Sequence, residues 1–135
     1  MVMQIDLRNE VKAYPLRLVQ ITDTHLFCQP DSTLLGLNTQ NSFEQVVAMI
    51  ESHHTDQAID LIVVTGDITQ DAKAQSYYQF ADGIARLQAP FYWVPGNHDS
   101  RAVMQSLPHH QQALCTRIVH GNWQILMLDS SQDGK

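Results

Sequence analysis

Basic residues are scarce in this sequence, and they form no cluster. Its 135 residues include 8 lysines and arginines against 14 aspartates and glutamates, which gives a formal net charge of −6 at pH 7. Proteins that bind nucleic acids normally present a basic patch to the phosphate backbone. We therefore expect no nucleic-acid partner for this chain.

Long apolar runs and closely spaced cysteines are also missing. No stretch approaches the roughly 20 consecutive apolar residues of a membrane-spanning helix, and the N-terminus has no apolar run of signal-peptide length. The two cysteines, Cys28 and Cys115, are far apart and lie in no C-x-x-C arrangement. We expect free thiols in a reducing compartment, and therefore a protein of the cytoplasm without a membrane partner.

The sequence does contain an alternation of strand-like and helix-like segments. Residues 16–22, 61–65 and 91–94 are apolar runs typical of strands, and the β-branched run LIVVT at 61–65 suits a strand buried on both faces. Between them, residues 42–53 and 73–88 carry apolar side chains at helical spacing. This order predicts an α/β fold with a mostly parallel sheet and flanking helices.

The segments outside this alternation are predicted to be short. Turn residues and capping signals predict an arm or edge segment over 1–15, a loop over 23–40, a first helix capped by Ser42, a short helix after Ser100 and a hairpin over 116–129. The predicted division is an N-terminal arm, 1–15, and one domain part, 16–135.

The predicted helices can cover only one of the two apolar faces of the strand at 61–65. We expect the other face to be exposed as a patch larger than the few hundred Å² that monomers tolerate. This predicts self-association through the exposed sheet face.

Polar side chains follow all three predicted strands, at the edge where parallel sheets bind ligands. Asp23 and His25 follow the first strand, Asp67 follows the second, and Asn97 follows the third. Carboxylate, imidazole and amide groups are ligands for ions such as Mn, Fe and Zn. In Asp23-x-His25, side chains two apart on an extended segment point the same way, so both can reach one ion. Asp67 has two oxygens and can bridge two ions.

Two further residues of this edge suggest roles beside the ligands. His98 can interact with a substrate, and Asp99 can hydrogen-bond His98 and fix its ring. Each of these short motifs alone is compatible with an ordinary polar turn. Their joint occurrence, in this order and at three strand ends, indicates a metal site.

The motifs ITDTHL, VVTGDIT and VPGNHD resemble the D-x-H, G-D and G-N-H-D signatures of calcineurin-like metallophosphoesterases. The resemblance covers nearly all of residues 16–135. Within that superfamily, the stretches DTHLF, LLGLNTQNSFEQVV and ILMLDSS are similar to the cyclic-nucleotide branch, which includes bacterial cyclic AMP phosphodiesterases. The resemblance implies one half of a four-layer αββα sandwich.

The resemblance also implies two divalent metal ions, Fe, Mn or Zn, and a small nucleotide substrate. Asp23 and His25 would bind the first ion, Asp67 would bridge, and Asn97 would bind the second ion. Asn97 and His98 would contact the substrate. His98 would be catalytic and assist a bridging hydroxide in hydrolysing a phosphodiester, 3',5'-cyclic AMP to AMP. The alternatives are a phosphomonoesterase or nucleotide pyrophosphatase, a catalytically incomplete fragment, and an interaction module that pairs with a second chain.

Part of the family pattern is missing from this sequence. The resemblance implies three further histidine ligands in a second half of the domain, two of them in a G-H-x-H motif, but the chain contains no Gly-His dipeptide. The other histidines follow no predicted strand toward the site, so we do not expect them to be ligands: His53, His54, His109, His110 and His120.

Overall fold

A computed structural model of the chain describes residues 4–6, 15–110 and 113–131. Its helices are α1 (Thr39–His53), α2 (Ala74–Ala85) and α3 (Arg101–Ser106). Its strands are β1 (Gln4–Asp6), β2 (Leu18–Ile21), β3 (Thr33–Leu34), β4 (Leu37–Asn38), β5 (Leu61–Thr65), β6 (Phe91–Val94), β7 (Arg117–His120) and β8 (Trp123–Leu126).

The central sheet consists of β2, β5 and β6, in that order and all parallel. Helix α1 connects the first two strands and α2 connects the last two, as the alternating pattern predicts. The α/β prediction is confirmed, and so are the three strands that position the predicted site. Their carboxyl ends meet at one edge because the strands run in the same direction.

The helices bury their apolar stripes on one face of this sheet. Phe43 of α1 stacks on Phe80 of α2, with ring centroids 5.1 Å apart, and both rings are buried with Ile62 and Val64 of β5. Gly83 makes this helix contact close, because a Cβ at that position would lie 2.4 Å from Phe43 Cε1. A glycine that lowers helix propensity is therefore needed for packing.

The opposite face of β5 is not exposed, so that prediction is wrong. Leu61 and Val63 are buried against Cys115, Ile118 and Met127. Ile118 lies in β7 and Met127 directly follows β8. Both strands belong to a second sheet, of order β1, β7, β8. The sequence pattern did not predict that this sheet covers β5. The chain thus contributes strands to two layers, and self-association through the β5 face loses its structural basis and stays a prediction.

Two local features differ from the sequence-based expectations. The segment predicted as a loop contains a short hairpin, in which β3 and β4 pair antiparallel. Helix α1 begins three residues earlier than predicted, because the side chain of Asn38, rather than Ser42, accepts a hydrogen bond from the Asn41 N–H and caps the helix.

The C-terminal elements follow the prediction closely. Ser100 caps α3 by accepting the Val103 N–H, and β7 and β8 form an antiparallel hairpin. Both cysteines are free, as predicted. In the predicted arm, β1 pairs in parallel with β7, while the division at residue 15 stays a prediction. Among the described residues, no helix has the length and apolar character needed to cross a membrane.

Candidate metal centre

The loops after β2 and β5 continue side by side beyond the ends of their strands. The Asp23 N–H donates to the Gly66 carbonyl (3.1 Å), and the His25 N–H donates to the Asp67 carbonyl (2.9 Å). These backbone hydrogen bonds hold the two loops in a fixed register beyond the ends of their strands. They place three of the predicted ligands, Asp23, His25 and Asp67, within reach of one another.

The same three residues have left-handed backbone conformations. Their φ angles are 57° at Asp23, 46° at His25 and 47° at Asp67. The Asp-x-His segment is therefore not extended, so the predicted reason for the convergence of its side chains is wrong. Each such conformation costs an L-residue roughly 1–2 kcal/mol, and strain of this kind concentrates at functional sites.

The loops after β5 and β6 approach so closely that two glycines are required. A Cβ at Gly96 would lie 2.2 Å from Asp67 Oδ1, and a Cβ at Gly66 would lie 2.9 Å from the Gly96 Cα. Any other side chain at either position would separate the loops. The glycines of the G-D and G-N-H-D motifs thus bring the Asp67 carboxylate against the β6 loop.

The candidate ligand atoms lie at distances that suit a shared ion. His25 Nε2 is 3.7 Å from Asp23 Oδ1 and 3.8 Å from Asp67 Oδ2. Two ligand atoms that each bind an ion at about 2.1 Å can lie no more than about 4.2 Å apart, and both distances satisfy this limit. His25 can therefore share a divalent ion with either carboxylate, from Asp23 or from Asp67.

His98 extends this group toward solvent. Ligand atoms of His25, Asp67 and His98 all lie within 4.8 Å of one another, and the two imidazole rings meet edge to face with centroids 5.3 Å apart. The His98 backbone N–H donates to Asp67 Oδ1 (3.0 Å). The carboxylate of one loop therefore anchors the histidine of the next.

Gln70 belongs to the site and was missed in the sequence. Its Oε1 lies 2.9 Å from His25 Nδ1. Because a carbonyl oxygen can only accept, Nδ1 carries a proton. Nε2, which faces the two carboxylates, is therefore the ring nitrogen available to bind an ion. A glutamine three residues after Asp67 has no distinctive sequence signal, because the contact depends on the pairing of two loops.

Asp99 does not hold the His98 ring, contrary to the prediction. Its Oδ2 instead accepts the N–H groups of Gly96 (2.8 Å) and Ile68 (3.1 Å), while Oδ1 accepts the Thr69 N–H and hydroxyl (3.0 and 3.3 Å). These donors come from both the β5 and the β6 loops. Asp99 therefore joins the loop that carries Asp67 to the loop that carries Asn97 and His98.

A buried tyrosine completes the Asp99 network. The Tyr77 hydroxyl donates to Asp99 Oδ1 (3.1 Å) and accepts the Ser100 N–H (2.8 Å). Burial raises the pKa of Tyr77, and the nearby Asp99 charge raises it further, so the hydroxyl stays protonated and remains a donor. Helix α2 is thereby connected to both loops.

Asn97 is exposed and lies with Asp23 and Asp67 in the wall of a groove of about 670 Å³. Leu126 and Leu128 also line this groove. The predicted site residues thus share one edge of the sheet, and Asp23, Asp67 and Asn97 also share this groove. The histidines predicted not to be ligands lie in other environments. His53 Nδ1, for example, lies 2.8 Å from the Met49 carbonyl at the end of α1.

Comparison with known proteins explains why these motifs occur together. A family profile described as calcineurin-like phosphoesterase matches residues 16–127. The chain belongs to the calcineurin-like phosphoesterase family. Membership in this metallophosphoesterase family implies divalent metal ions, and the three-layer arrangement of helices and two sheets is consistent with part of its domain.

Several relatives in this family have curated names. The chain is 46% identical over 121 residues to the 3',5'-cyclic adenosine monophosphate phosphodiesterase of Escherichia coli, covering 88% of this chain and 43% of the relative. It is 41% identical over 117 residues to the protein of the same name from Pseudomonas aeruginosa (87% and 42%). It is 32% identical over 118 residues to a 3',5'-cyclic-nucleotide phosphodiesterase of Nostoc (87% and 44%). The chain thus spans less than half the length of these relatives.

Proposed function

We propose that this chain carries one part of a binuclear metal centre that hydrolyses 3',5'-cyclic AMP to AMP. The observation that supports this most directly is the convergence of His25 Nε2 with carboxylate oxygens of Asp23 and Asp67, at 3.7 and 3.8 Å. The names of the relatives from Escherichia coli and Pseudomonas aeruginosa support cyclic AMP as the substrate. The product and substrate are then small nucleotides, and no nucleic-acid or membrane partner is needed.

We assign the ligands by their positions in the three loops. Asp23 and His25 would hold one ion, Asp67 would contribute to both ions, and Asn97 would hold the second ion through its amide oxygen. This set of oxygen and nitrogen donors suits Fe, Mn or Zn. Ions bound there would activate water as the nucleophile and offset the negative charge of the phosphate.

His98 is assigned the contact with the reacting phosphate. Its ring is exposed beside His25, while its backbone is fixed by Asp67. An imidazole held at this place can donate a hydrogen bond to a phosphate oxygen or a proton to the departing ribose alkoxide. Asp99 supports His98 through the loop and acts without contact to its ring.

The test is hydrolysis of cyclic AMP with excess Mn²⁺ by the chain and by two variants. His98→Ala should lower the rate by about 10²-fold or more. His53→Ala, at an exposed histidine far along α1, should leave it unchanged. Mn²⁺ binding by calorimetry should persist in His98→Ala and weaken strongly in Asp67→Asn.

Other outcomes would contradict specific parts of the proposal. If the unaltered chain hydrolyses cyclic AMP and His98→Ala does so at the same rate, the role assigned to His98 is wrong. If the chain hydrolyses phosphomonoesters or pyrophosphates faster than cyclic AMP, its substrate belongs to one of those classes instead of the cyclic nucleotides. Mn²⁺ binding without any hydrolysis would favour a catalytically incomplete portion of a larger site. The location in the cytoplasm stays a prediction from the composition.

A further inference from the structure

A second groove opens beside the candidate metal centre, between the β3–β4 hairpin and helix α1. Its volume is about 530 Å³, and much of its wall is apolar, formed by Leu34, Leu37, Phe43 and Val46. Ligand pockets of about 300–1,000 Å³ are typically apolar with a few polar groups at one side. Here the polar lining residues include Asp23 and His25, two of the assigned metal ligands.

The hairpin beside this groove exposes apolar side chains in a strained turn. Leu35 is 100% exposed and has a φ of 50°, followed by Gly36 at 82°. The left-handed region is strained for a leucine, and a fully exposed side chain offsets none of this strain through packing. Leu37 and Val46 are also exposed, by 57% and 41%. A strained turn that also exposes apolar side chains does not stabilise the fold, and such features are typical of binding sites.

The position of the groove determines which ligand group it can accept. It shares Asp23 and His25 with the metal centre, so a molecule whose phosphate lies at the ions can extend its organic part between the hairpin and α1. The stretch LLGLNTQNSFEQVV at 34–47 carries the similarity to the cyclic-nucleotide branch, and that stretch forms much of this wall. An apolar wall suits a flat nucleobase, whereas the metal centre suits the phosphate.

We propose that this groove binds the nucleobase of the cyclic nucleotide through Leu34, Leu37 and Val46. The inference rests on the proposed function, because it places the phosphate of the same substrate at Asp23 and His25. It deepens that function by assigning the β3–β4 hairpin as the element that recognises the base.

The test follows the methyl resonances of leucine and valine by NMR in the full chain, with Zn²⁺ as a diamagnetic ion and AMP as the probe. AMP is the product, so the measurement needs no turnover. Methyl signals of Leu34, Leu37 and Val46 should shift with AMP and stay unchanged with inorganic phosphate. The substitution Leu37→Ser should weaken AMP binding by about five- to tenfold, with Val46→Ser as a second variant.

Met49→Ser is the matched control, because Met49 lies on α1, is 53% exposed and does not line the groove. It should bind AMP as the unaltered chain does. AMP-dependent shifts at Leu126 and Leu128 instead of the groove would overturn the proposal by placing the base in the other groove. The absence of any AMP-dependent shift would also overturn it. Shifts that depend on protein concentration without AMP would assign the groove to a second copy of the chain.

The two proposals fail in different ways. Hydrolysis of cyclic AMP without groove shifts would leave the proposed function intact and refute base binding at the hairpin. Groove shifts with AMP but without hydrolysis, in a chain that binds Mn²⁺ normally, would support base binding and refute the activity of the chain.

Discussion

The Asp99 carboxylate offers the sharpest test of how this site is built. It accepts five hydrogen bonds, from Gly96, Ile68, Tyr77 and twice from Thr69. The substitution Asp99→Asn keeps the shape but replaces one acceptor oxygen with an NH₂ group. In one orientation of the amide, its NH₂ group faces the two N–H donors of Gly96 and Ile68. In the other orientation, it faces the three donors of Thr69 and Tyr77. An NH₂ group can accept a hydrogen bond from none of these donors.

The expected loss of stability follows from this count. A hydrogen bond to a charged group contributes about 1.5–3 kcal/mol, and a buried donor left without a partner costs about 1–3 kcal/mol. With partial solvent access to Asp99, we expect Asp99→Asn to lose about 3 kcal/mol of unfolding free energy. For a domain of this size, that corresponds to a fall in Tm of roughly 10 °C.

Urea denaturation and calorimetry would measure the change beside two comparison variants. Tyr77→Phe removes one of the five donors and also the acceptor of the Ser100 N–H, so it should cost about 1–3 kcal/mol. Glu51→Gln removes the same charge from an exposed ion pair with Arg86 and should cost less than about 1 kcal/mol. If Asp99→Asn costs no more than Glu51→Gln, the five contacts do not hold the loops together and the reasoning is wrong.

Three further substitutions test the packing, the pH response and the approach of the loops. Gly83→Ala should destabilise the chain by about 1–3 kcal/mol through overpacking, despite the helix propensity it gains, because the new Cβ would lie 2.4 Å from Phe43 Cε1. Burial alone would raise the pKa of Asp71, but hydrogen bonds from a hydroxyl and backbone N–H groups lower it below its ordinary value. Its stabilisation is therefore fully present above the unfolded pKa of about 3.9 and is lost as the pH falls through the lower pKa of the folded state. Asp71→Asn should weaken the chain at pH 7, and the difference should shrink in acid. Gly96→Ala, whose Cβ would lie 2.2 Å from Asp67 Oδ1, should weaken Mn²⁺ binding by about tenfold or more in calorimetry.

Each of these three predictions has a control and a contrary result. A more stable Gly83→Ala chain in urea would mean that the two helices can separate at little cost. For Asp71, the free energy of unfolding should be measured against pH for Asp71→Asn and for Asp56→Asn, which changes an exposed aspartate. If the two variants show the same pH dependence, the stabilising role of the Asp71 carboxylate is wrong. Gly121→Ala, where a Cβ would meet no atom within 4 Å, should leave Mn²⁺ binding unchanged. Unaltered Mn²⁺ binding by Gly96→Ala would show that the loops can move apart.

The sequence predicts best those features that depend on local periodicity. The strand at Leu61–Thr65 and the strand at Phe91–Val94 have the predicted bounds, because continuous β-branched and aromatic runs have few alternatives. The hairpin of β3 and β4 was missed, because its strands have two residues each and show no alternation. Its turn also places Leu35, a residue not expected at positive φ, in the left-handed region.

The sequence by itself determined the α/β order and the presence of Asp23, His25, Asp67, Asn97 and His98 at one edge, because parallel strands bring their following loops together. Only the tertiary structure decided which side chains support them. Gln70 orients His25 across paired loops, and Asp99 holds two backbone segments instead of a neighbouring ring.

Likewise, only the tertiary structure shows what covers the second face of β5. A buried apolar face has the same sequence pattern whether a helix, a sheet or a second chain covers it. Here Ile118 and Met127 cover it, more than 50 residues along the chain from Leu61. Hydrophobic burial is non-directional, so the pattern specifies that a face is buried, and the path of the chain specifies what buries it.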